Sequence, residues 1–212
     1  MAKHVYLEDA INDRELQETD KKIVLLIGDS MRMGYCETVK KELADIAEVV
    51  FPNDNCRFTQ YVLTMLNAWA GLCDKEKVDL VQFNCGHWDA AHFGAEEFPL
   101  NSPEVYAQNI RRIITRLRSI FPNAKVIFAN SSPMNPNGEC SINYRTTEDI
   151  IRYNEAAEAV AKEMNVPVND VFSVMKDWGS ECYADYAHLT KEGFETLGKE
   201  VALFIRKALE EK

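Results

Sequence analysis

Short apolar runs alternate with longer amphipathic stretches along most of the chain. The runs near residues 23, 80 and 126 are almost continuously apolar, as is typical of parallel strands covered on both faces. The pattern predicts strands over residues 23–28, 48–51, 78–84, 124–130 and 166–168. It predicts helices over residues 36–45, 59–73, 103–120, 147–164 and 190–211. Strands that alternate with helices imply right-handed crossovers and a single parallel sheet.

Helix start signals support two of these elements, and the pattern also indicates a long loop and the bounds of the domain. Ser102 and Pro103 suit the N-cap and first turn of a helix, and Thr190 precedes an acidic first turn. The longest irregular segment is 131–146, and long loops in compact domains are often functional. We expect an N-terminal extension over residues 1–21, followed by one domain over residues 22–212.

Composition and charge narrow the class of protein. The 212 residues include 24 basic and 34 acidic side chains, which gives a formal net charge of −10. This balance argues against nucleic acid or an anionic membrane as the main partner, because both carry negative charge. No run approaches the ~20 apolar residues of a membrane span, and the charged N-terminus has no apolar signal-peptide core. We therefore expect a soluble, cytoplasmic protein.

The cysteines and histidines do not predict a disulfide framework or a metal site. The six cysteines are scattered without a C-x-x-C pair, and without a secretory signal we expect reduced thiols. The four histidines form neither H-E-x-x-H nor a Cys/His cluster at ligand spacing. We expect no bound metal.

Polar residues follow three of the predicted strands, at the edge where open parallel sheets carry their chemistry. Residues 28–30 (Gly-Asp-Ser), 84–89 and 130–132 follow the first, third and fourth strands. Ser30 could present its hydroxyl beside a helix N-terminus, where N–H groups favour developing negative charge. The alternative is that Ser30 merely caps the helix.

A nucleophilic serine needs a base, and His188 is the candidate. Asp185 lies three residues earlier, so that on a single turn its carboxylate can lie beside the imidazole. The carboxylate could then hold one ring nitrogen protonated and leave the other free to accept a proton from Ser30. The alternative is a loop histidine beside a helix-capping aspartate.

These motifs, taken together, resemble the SGNH (GDSL-type) hydrolases. Gly-Asp-Ser at 28–30, the Asn- and Gly-containing segment 84–89 and Asp185-x-x-His188-Leu-Thr occur in the order typical of that family. The resemblance runs from about Lys22 to the C-terminus. It implies a flavodoxin-like, three-layer α/β/α sandwich with a five-stranded parallel sheet. The G-x-S-x-G motif of the α/β-hydrolases is absent.

The resemblance also implies roles for individual residues. Ser30 would be the nucleophile, His188 the base and Asp185 its partner, and the N–H of Ser30 would contribute to an oxyanion hole. Two positions depart from the family pattern. Cys56 stands where the family normally has a glycine that offers its N–H, and we expect the Cys56 N–H to contribute to the oxyanion hole in its place. Trp88 stands where the third block normally has asparagine.

Asn84 is the replacement that we expect for the missing asparagine. It lies two residues before Gly86, and N-x-G-x-x-D is similar to a variant used by some family members. Without such a donor the rate would fall by about 10²–10³-fold. The alternative is that Asn84 bonds only to a neighbouring loop.

Four further residues are candidates for substrate binding. Arg32 and Arg57 lie near the predicted site and could bind a polar or anionic group, although surface arginines usually have no specific role. His87 and Trp88 could line a small acyl pocket or stack on a sugar ring, although ordinary packing explains them equally well.

The resemblance implies a serine esterase that needs no metal or organic cofactor. We expect a small-molecule ester as substrate, most simply an acetyl ester on an oligosaccharide. A lysophospholipase or thioesterase of the same fold, and a degraded module that binds an acylated glycan, remain alternatives. A nucleotide binder is disfavoured because the first turn lacks a P-loop motif and Asp29 would repel phosphate. Homo-oligomerisation is left open.

Overall fold

The computed structural model describes residues 20–94, 96–139 and 142–211. The predicted N-terminal extension, except for its last two residues, and Cys140 therefore lie outside the described residues. The described strands are β1 (Lys22–Ile27), β2 (Ala47–Val50), β3 (Val78–Phe83), β4 (Lys125–Ala129) and β5 (Val168–Asn169).

Helices connect these strands, and two further 3-10 turns complete the described elements. The helices are α1 (Ser30–Glu42), α2 (Thr59–Trp69), α3 (Pro103–Ile120), α4 (Thr147–Glu163), α5 (Val171–Met175) and α6 (Lys191–Glu210). The 3-10 turns are Ala70–Leu72 and Ser180–Cys182. No helix in the described part of the chain combines the length and apolar character that a bilayer crossing requires.

The strands form one parallel sheet in the order β2-β1-β3-β4-β5. This is the flavodoxin-like order, in which the chain reverses direction across the sheet between β1 and β3. Ile27 of β1 pairs with Phe83 of β3, so that the residues after each strand emerge side by side. The predicted α/β/α sandwich with a five-stranded parallel sheet is confirmed.

Alternating side chains of the strands supply two separate cores. Val24 and Leu26 point to one face and pack with apolar side chains of α1, α5 and α6. Leu25 and Ile27 point to the other face and pack with α2, α3 and α4. Burial on both faces explains why β1 appears in the sequence as a continuous apolar run.

The predicted elements are present, and the deviations have local causes. The first helix begins at Ser30 rather than at residue 36, because the Asp29 carboxylate caps it by accepting the N–H of Met31. The last strand is shifted to Val168–Asn169. Helix α5 was not predicted, since five residues are too few to show a periodic pattern.

Predicted start signals at two helices are confirmed. The Ser102 side chain accepts the N–H of Val105, with proline in the first turn of α3. Thr190 caps α6 by accepting the N–H of Gly193. These caps fix where α3 and α6 begin, and the beginning of α6 places the preceding loop.

Helix α6 packs closely on α1 through glycine. A Cβ added at Gly198 would lie 2.6 Å from Cβ of Thr38 and 3.2 Å from the carbonyl oxygen of Tyr35. Real Cβ atoms do not approach this closely, so the two helices would have to separate. The close contact anchors α6 beside the helix that begins at Ser30.

We predict that Gly198→Ala destabilises the protein by about 1–3 kcal/mol, because overpacking forces the two helices apart. Urea unfolding followed by circular dichroism would measure the change. Gly71→Ala is the matched control, since a Cβ there meets nothing within 4 Å, and its effect should stay within about 0.5 kcal/mol. Equal effects of the two substitutions would contradict tight packing at Gly198.

Candidate active site

A histidine from the C-terminal half of the chain links a serine and an aspartate at the carboxyl edge of the sheet. The Nε2 atom of His188 lies 2.8 Å from Oγ of Ser30, and its Nδ1 atom lies 2.8 Å from Oδ2 of Asp185. The structure therefore brings together the three residues that the sequence motifs singled out, although 158 positions separate Ser30 from His188.

The Asp185–His188 turn holds its own carboxylate in place. Oδ1 of Asp185 accepts the backbone N–H groups of Ala187 and His188 at 2.8 and 2.7 Å. Partial burial by itself raises the pKa of Asp185, but these N–H groups and the His188 ring outweigh it and lower the pKa overall. The carboxylate is therefore kept ionised beside the imidazole.

The turn is also tied to the long loop that follows β4. Asn135 donates its backbone N–H to the carbonyl of Tyr186 and its side-chain amide to the carbonyl of Asp185, both at 3.0 Å. The hydroxyl of Tyr183 donates to the carbonyl of Pro133 at 3.3 Å. Pro133 and Asn135, after β4, thus help to hold the turn that carries Asp185 and His188.

Ser30 occupies the first position of α1, directly after the Asp29 cap. Its N–H is one of the helix-terminal groups that have no partner within the helix. The serine is half-buried, so part of the residue remains accessible. Position and accessibility are both compatible with attack on an external carbonyl.

Asn84 lies against the Gly28-Asp29 turn and is buried. Its Nδ2 donates to Oδ1 of Asp29 at 2.9 Å, and an amide nitrogen has a second hydrogen to offer. A Cβ at Gly28 would lie 1.9 Å from Oδ1 of Asn84, so glycine is required for this contact. Burial raises the pKa of Asp29, although hydrogen bonds from Asn84 and Met31 oppose the rise.

The backbone of Cys56 does not match the role expected for it. Its N–H already donates to the carbonyl of Gly28 at 3.1 Å, so the expectation that it contributes a free oxyanion donor is corrected. The left-handed backbone that a glycine would favour lies one residue later, at Arg57, with φ of 47°. The N–H of Arg57 donates to Oδ1 of Asn55 at 3.0 Å.

Arg32 is a structural residue in this site, which corrects its expected contact with substrate. Its side chain is only 2% exposed. Nη1 donates to the carbonyl of Pro52 at 3.0 Å, and Nη2 donates to the carbonyls of Gly28 and Asp54. Arg32 therefore fastens the loop after β2 to the end of β1. Arg57, in contrast, is exposed and lies over the ring of Tyr61.

His87 does not line an open acyl pocket, because its ring is enclosed by protein. Nδ1 accepts the Nε–H of Arg145 at 3.2 Å, and Nε2 lies 3.0 Å from Oγ of Ser132. Burial lowers the pKa of His87 well below its usual range, and the Arg145 charge adds to the effect. A neutral ring whose Nδ1 accepts must carry its proton on Nε2, so it donates to Ser132 and cannot act as its base. Trp88 is half-buried, with its ring 6.0 Å from that of Phe93.

Two residues that the sequence reasoning missed also organise the site. Asp89 accepts the N–H and hydroxyl of Thr59 and the amide of Asn101, and so caps α2 from another loop. Burial raises the pKa of Asp89 to about 6, against the effect of these hydrogen bonds. The position of Asp89 at the end of the Gly86–Asp89 block could have identified it from the sequence. Arg145, beside His87, belongs to no motif, so nothing in the sequence indicated its place in the site.

The described ranges contain no group of three or more histidine, cysteine or acidic side chains arranged to hold a metal ion.

Comparison with known proteins identifies the family of the chain. The sequence profile of the GDSL-like Lipase/Acylhydrolase family matches residues 26–195, a span that contains Ser30, Asp185 and His188. The chain belongs to this family. A GDSL esterase/lipase from rice, Oryza sativa subsp. japonica (WDL1), is 30% identical over 115 residues, which cover 50% of this chain and 44% of the rice protein. The match thus spans less than half of that relative.

Solved structures confirm the fold of this family member. A lipase/acylhydrolase from Enterococcus faecalis superposes with a TM-score of 0.67 at 22% identity, covering 88% of this chain and 96% of the other. Est24, a carbohydrate acetylesterase from Sinorhizobium meliloti, gives a TM-score of 0.67 at 16% identity, covering 89% and 100%. At these identities the likeness establishes the fold.

We predict that Arg32→Met lowers the free energy of unfolding by about 2–4 kcal/mol, because buried carbonyls lose their donor. Urea unfolding would measure the loss. The matched control Arg57→Gln removes an exposed arginine and should change stability by no more than about 0.5 kcal/mol. An Arg32→Met protein of normal stability with only a raised KM would contradict the structural role and restore Arg32 as a substrate contact.

Proposed function

We propose that this protein is a serine esterase in which Ser30, His188 and Asp185 form the catalytic triad. The observation that carries the proposal is the His188 ring, which contacts Ser30 and Asp185 with its two nitrogens at 2.8 Å each. A serine that merely capped α1 would not need this histidine, and Asp29 already provides the cap.

The first half of the reaction transfers the acyl group to the protein. The Nδ1–H of His188 donates to Asp185, which leaves Nε2 free to take the Ser30 proton. The Ser30 oxygen attacks the ester carbonyl and forms a tetrahedral intermediate. His188 then returns the proton to the departing alcohol oxygen, and an acyl-serine remains.

Two donors are proposed to stabilise the oxyanion of that intermediate. The N–H of Ser30 lies at the positive end of the α1 dipole, and Asn84 has a second amide hydrogen beyond the one donated to Asp29. The Cys56 N–H is not included, since Gly28 already accepts it. With fewer donors than expected, each one gains importance, and removing one costs about 10²–10³-fold in rate.

Water completes the reaction. His188 removes a proton from a water molecule, the resulting hydroxide attacks the acyl-serine, and the same two donors stabilise the second oxyanion. Collapse releases the carboxylic acid and returns the proton to Ser30. Every step uses residues of this chain alone, and the proposal includes no metal or organic cofactor.

We propose short acyl groups, above all acetyl, on a carbohydrate as the substrate class. Half-buried Trp88 and exposed Tyr144 lie in the two loops that Arg145 and His87 join, and we propose that a sugar ring stacks on these aromatic side chains. Est24, which shares the fold, is described as a carbohydrate acetylesterase. The runner-up is a lysophospholipase or thioesterase, and a non-catalytic glycan-binding module is disfavoured by the intact triad geometry.

We predict that Ser30→Ala lowers kcat on 4-nitrophenyl acetate by at least about 10³-fold, because the nucleophile is lost. Stopped-flow or plate-based release of 4-nitrophenolate would measure it. Ser132→Ala is the matched control, since Ser132 also contacts a histidine but one that cannot accept its proton. The control should keep its rate within about tenfold of the wild type. A Ser30→Ala protein as active as the wild type would refute the esterase mechanism.

We further predict that kcat/KM falls steeply for 4-nitrophenyl esters beyond about four acyl carbons, because a site for acetyl groups offers longer chains little buried contact. A series from acetate to palmitate would measure this, alongside acetylated xylo-, manno- and sialo-oligosaccharides. Equal or faster turnover of long chains would favour the lipase alternative. Tight binding of acetylated glycans without turnover would favour the binding module.

A further inference from the structure

The guanidinium of Arg145 is a buried cation without a carboxylate partner at the active site. The residue is only 9% exposed. Among the residues that the structure describes, no carboxylate oxygen lies within 4.0 Å of it. A buried charge is normally paired, because removing it from water is costly. The buried Asp29 carboxylate interacts with this charge from a distance, but no carboxylate contacts the guanidinium directly, and this suggests that a ligand supplies the contacting negative charge.

The contacts of Arg145 hold the guanidinium in place without neutralising it. Nε donates to Nδ1 of His87 at 3.2 Å, and Nη1 donates to the carbonyl of Asn143 at 2.9 Å. The ring of Tyr186 lies 5.4 Å from the guanidinium carbon. The remaining nitrogen, Nη2, has no acceptor among the described residues. It is not one of the polar side-chain atoms that are both fully buried and without a hydrogen bond, so solvent reaches it. It is the nitrogen available to a ligand.

The position of this cation connects it with the triad. Tyr186, which the guanidinium covers, lies between Asp185 and His188 in the same turn. His87, the other anchor, belongs to the segment after β3, which emerges beside the end of β1 that leads to Ser30. A group that binds Nη2 would therefore lie at the same edge of the sheet as Ser30 and His188.

The other two arginines considered for this role differ in a decisive way. Both terminal nitrogens of Arg32 donate to backbone carbonyls within the protein. Arg57 is exposed, where water screens its charge strongly. Arg145 alone, of these three, combines burial with an unoccupied terminal nitrogen, and a buried cation attracts an anion more strongly than an exposed one.

We propose that Arg145 binds a carboxylate of the substrate, so that the preferred substrates are acyl esters that also carry a negative charge, such as an O-acylated acidic sugar. This inference rests on the proposed esterase function and sharpens its substrate class. It assigns a local preference for anions to a protein whose formal net charge is −10. The carboxylate would accept from Nη2 and be oriented by the planar guanidinium.

The test compares two esters that differ only in charge, 4-acetoxybenzoate and 4-acetoxybenzamide. We expect the wild type to have a higher kcat/KM for the anionic ester. In Arg145→Gln the ratio of anionic to neutral kcat/KM should fall by about ten- to a hundredfold, the range that a charged hydrogen bond supplies. Arg145→Lys should retain part of the preference, because the positive charge remains while the planar guanidinium with its paired N–H donors is lost.

Arg206→Gln is the control for the change in net charge, since Arg206 pairs with Asp45 away from the site. It should leave the ratio unchanged. In the wild type, 4-hydroxybenzoate should inhibit turnover of 4-nitrophenyl acetate more strongly than 4-hydroxybenzamide does, a readout that remains if Arg145→Gln fails to fold. An Arg145→Gln ratio equal to that of the wild type, or equal inhibition by the two phenols, would overturn this inference while the esterase function stands. A wild type that hydrolyses neither ester would instead refute the esterase function itself.

Discussion

The hydrogen bond between Ser30 and His188 is the interaction on which the proposed chemistry of this protein depends. Its two partners are far apart in the chain: the serine begins α1, and the histidine precedes α6. A separation of 2.8 Å persists only if both helices are fixed. Close packing at Gly198 and the caps at Asp29 and Thr190 supply that constraint. The packing of the helices against the sheet thus fixes the distance between Ser30 and His188 at the edge of the sheet.

Much of this arrangement could be predicted because its signals are local. Continuous apolar runs mark strands buried on both faces, and Ser30, Asp185 and His188 stand at chain positions whose chemistry is recognisable from their neighbours. The failures concern contacts made across the fold. Nothing near Arg32 in the sequence indicates that its guanidinium turns inward to three carbonyls, or that the Cys56 N–H donates to Gly28. Such partners depend on how distant loops meet.

The arginines around the site show why residue type alone does not predict function. Arg32 donates its hydrogen bonds to backbone carbonyls, and Arg57 is exposed and lies over the ring of Tyr61. Arg145 is buried, and one of its terminal nitrogens has no partner among the described residues. All three carry the same charge, but burial and hydrogen bonding decide whether that charge fixes a loop, meets water or can meet a ligand. The net charge of the chain describes none of these local fields.

The acyl-serine intermediate offers the most direct measurement. The wild-type protein would be mixed with an activated acetyl ester, quenched in acid before a single turnover is complete, digested, and mapped by mass spectrometry. With Ser30 as the nucleophile, we expect one acetyl group, on the peptide that contains Ser30, which appears and then disappears at rates matching turnover. Turnover with no acyl group on Ser30, or with the acyl group on another residue, would contradict it.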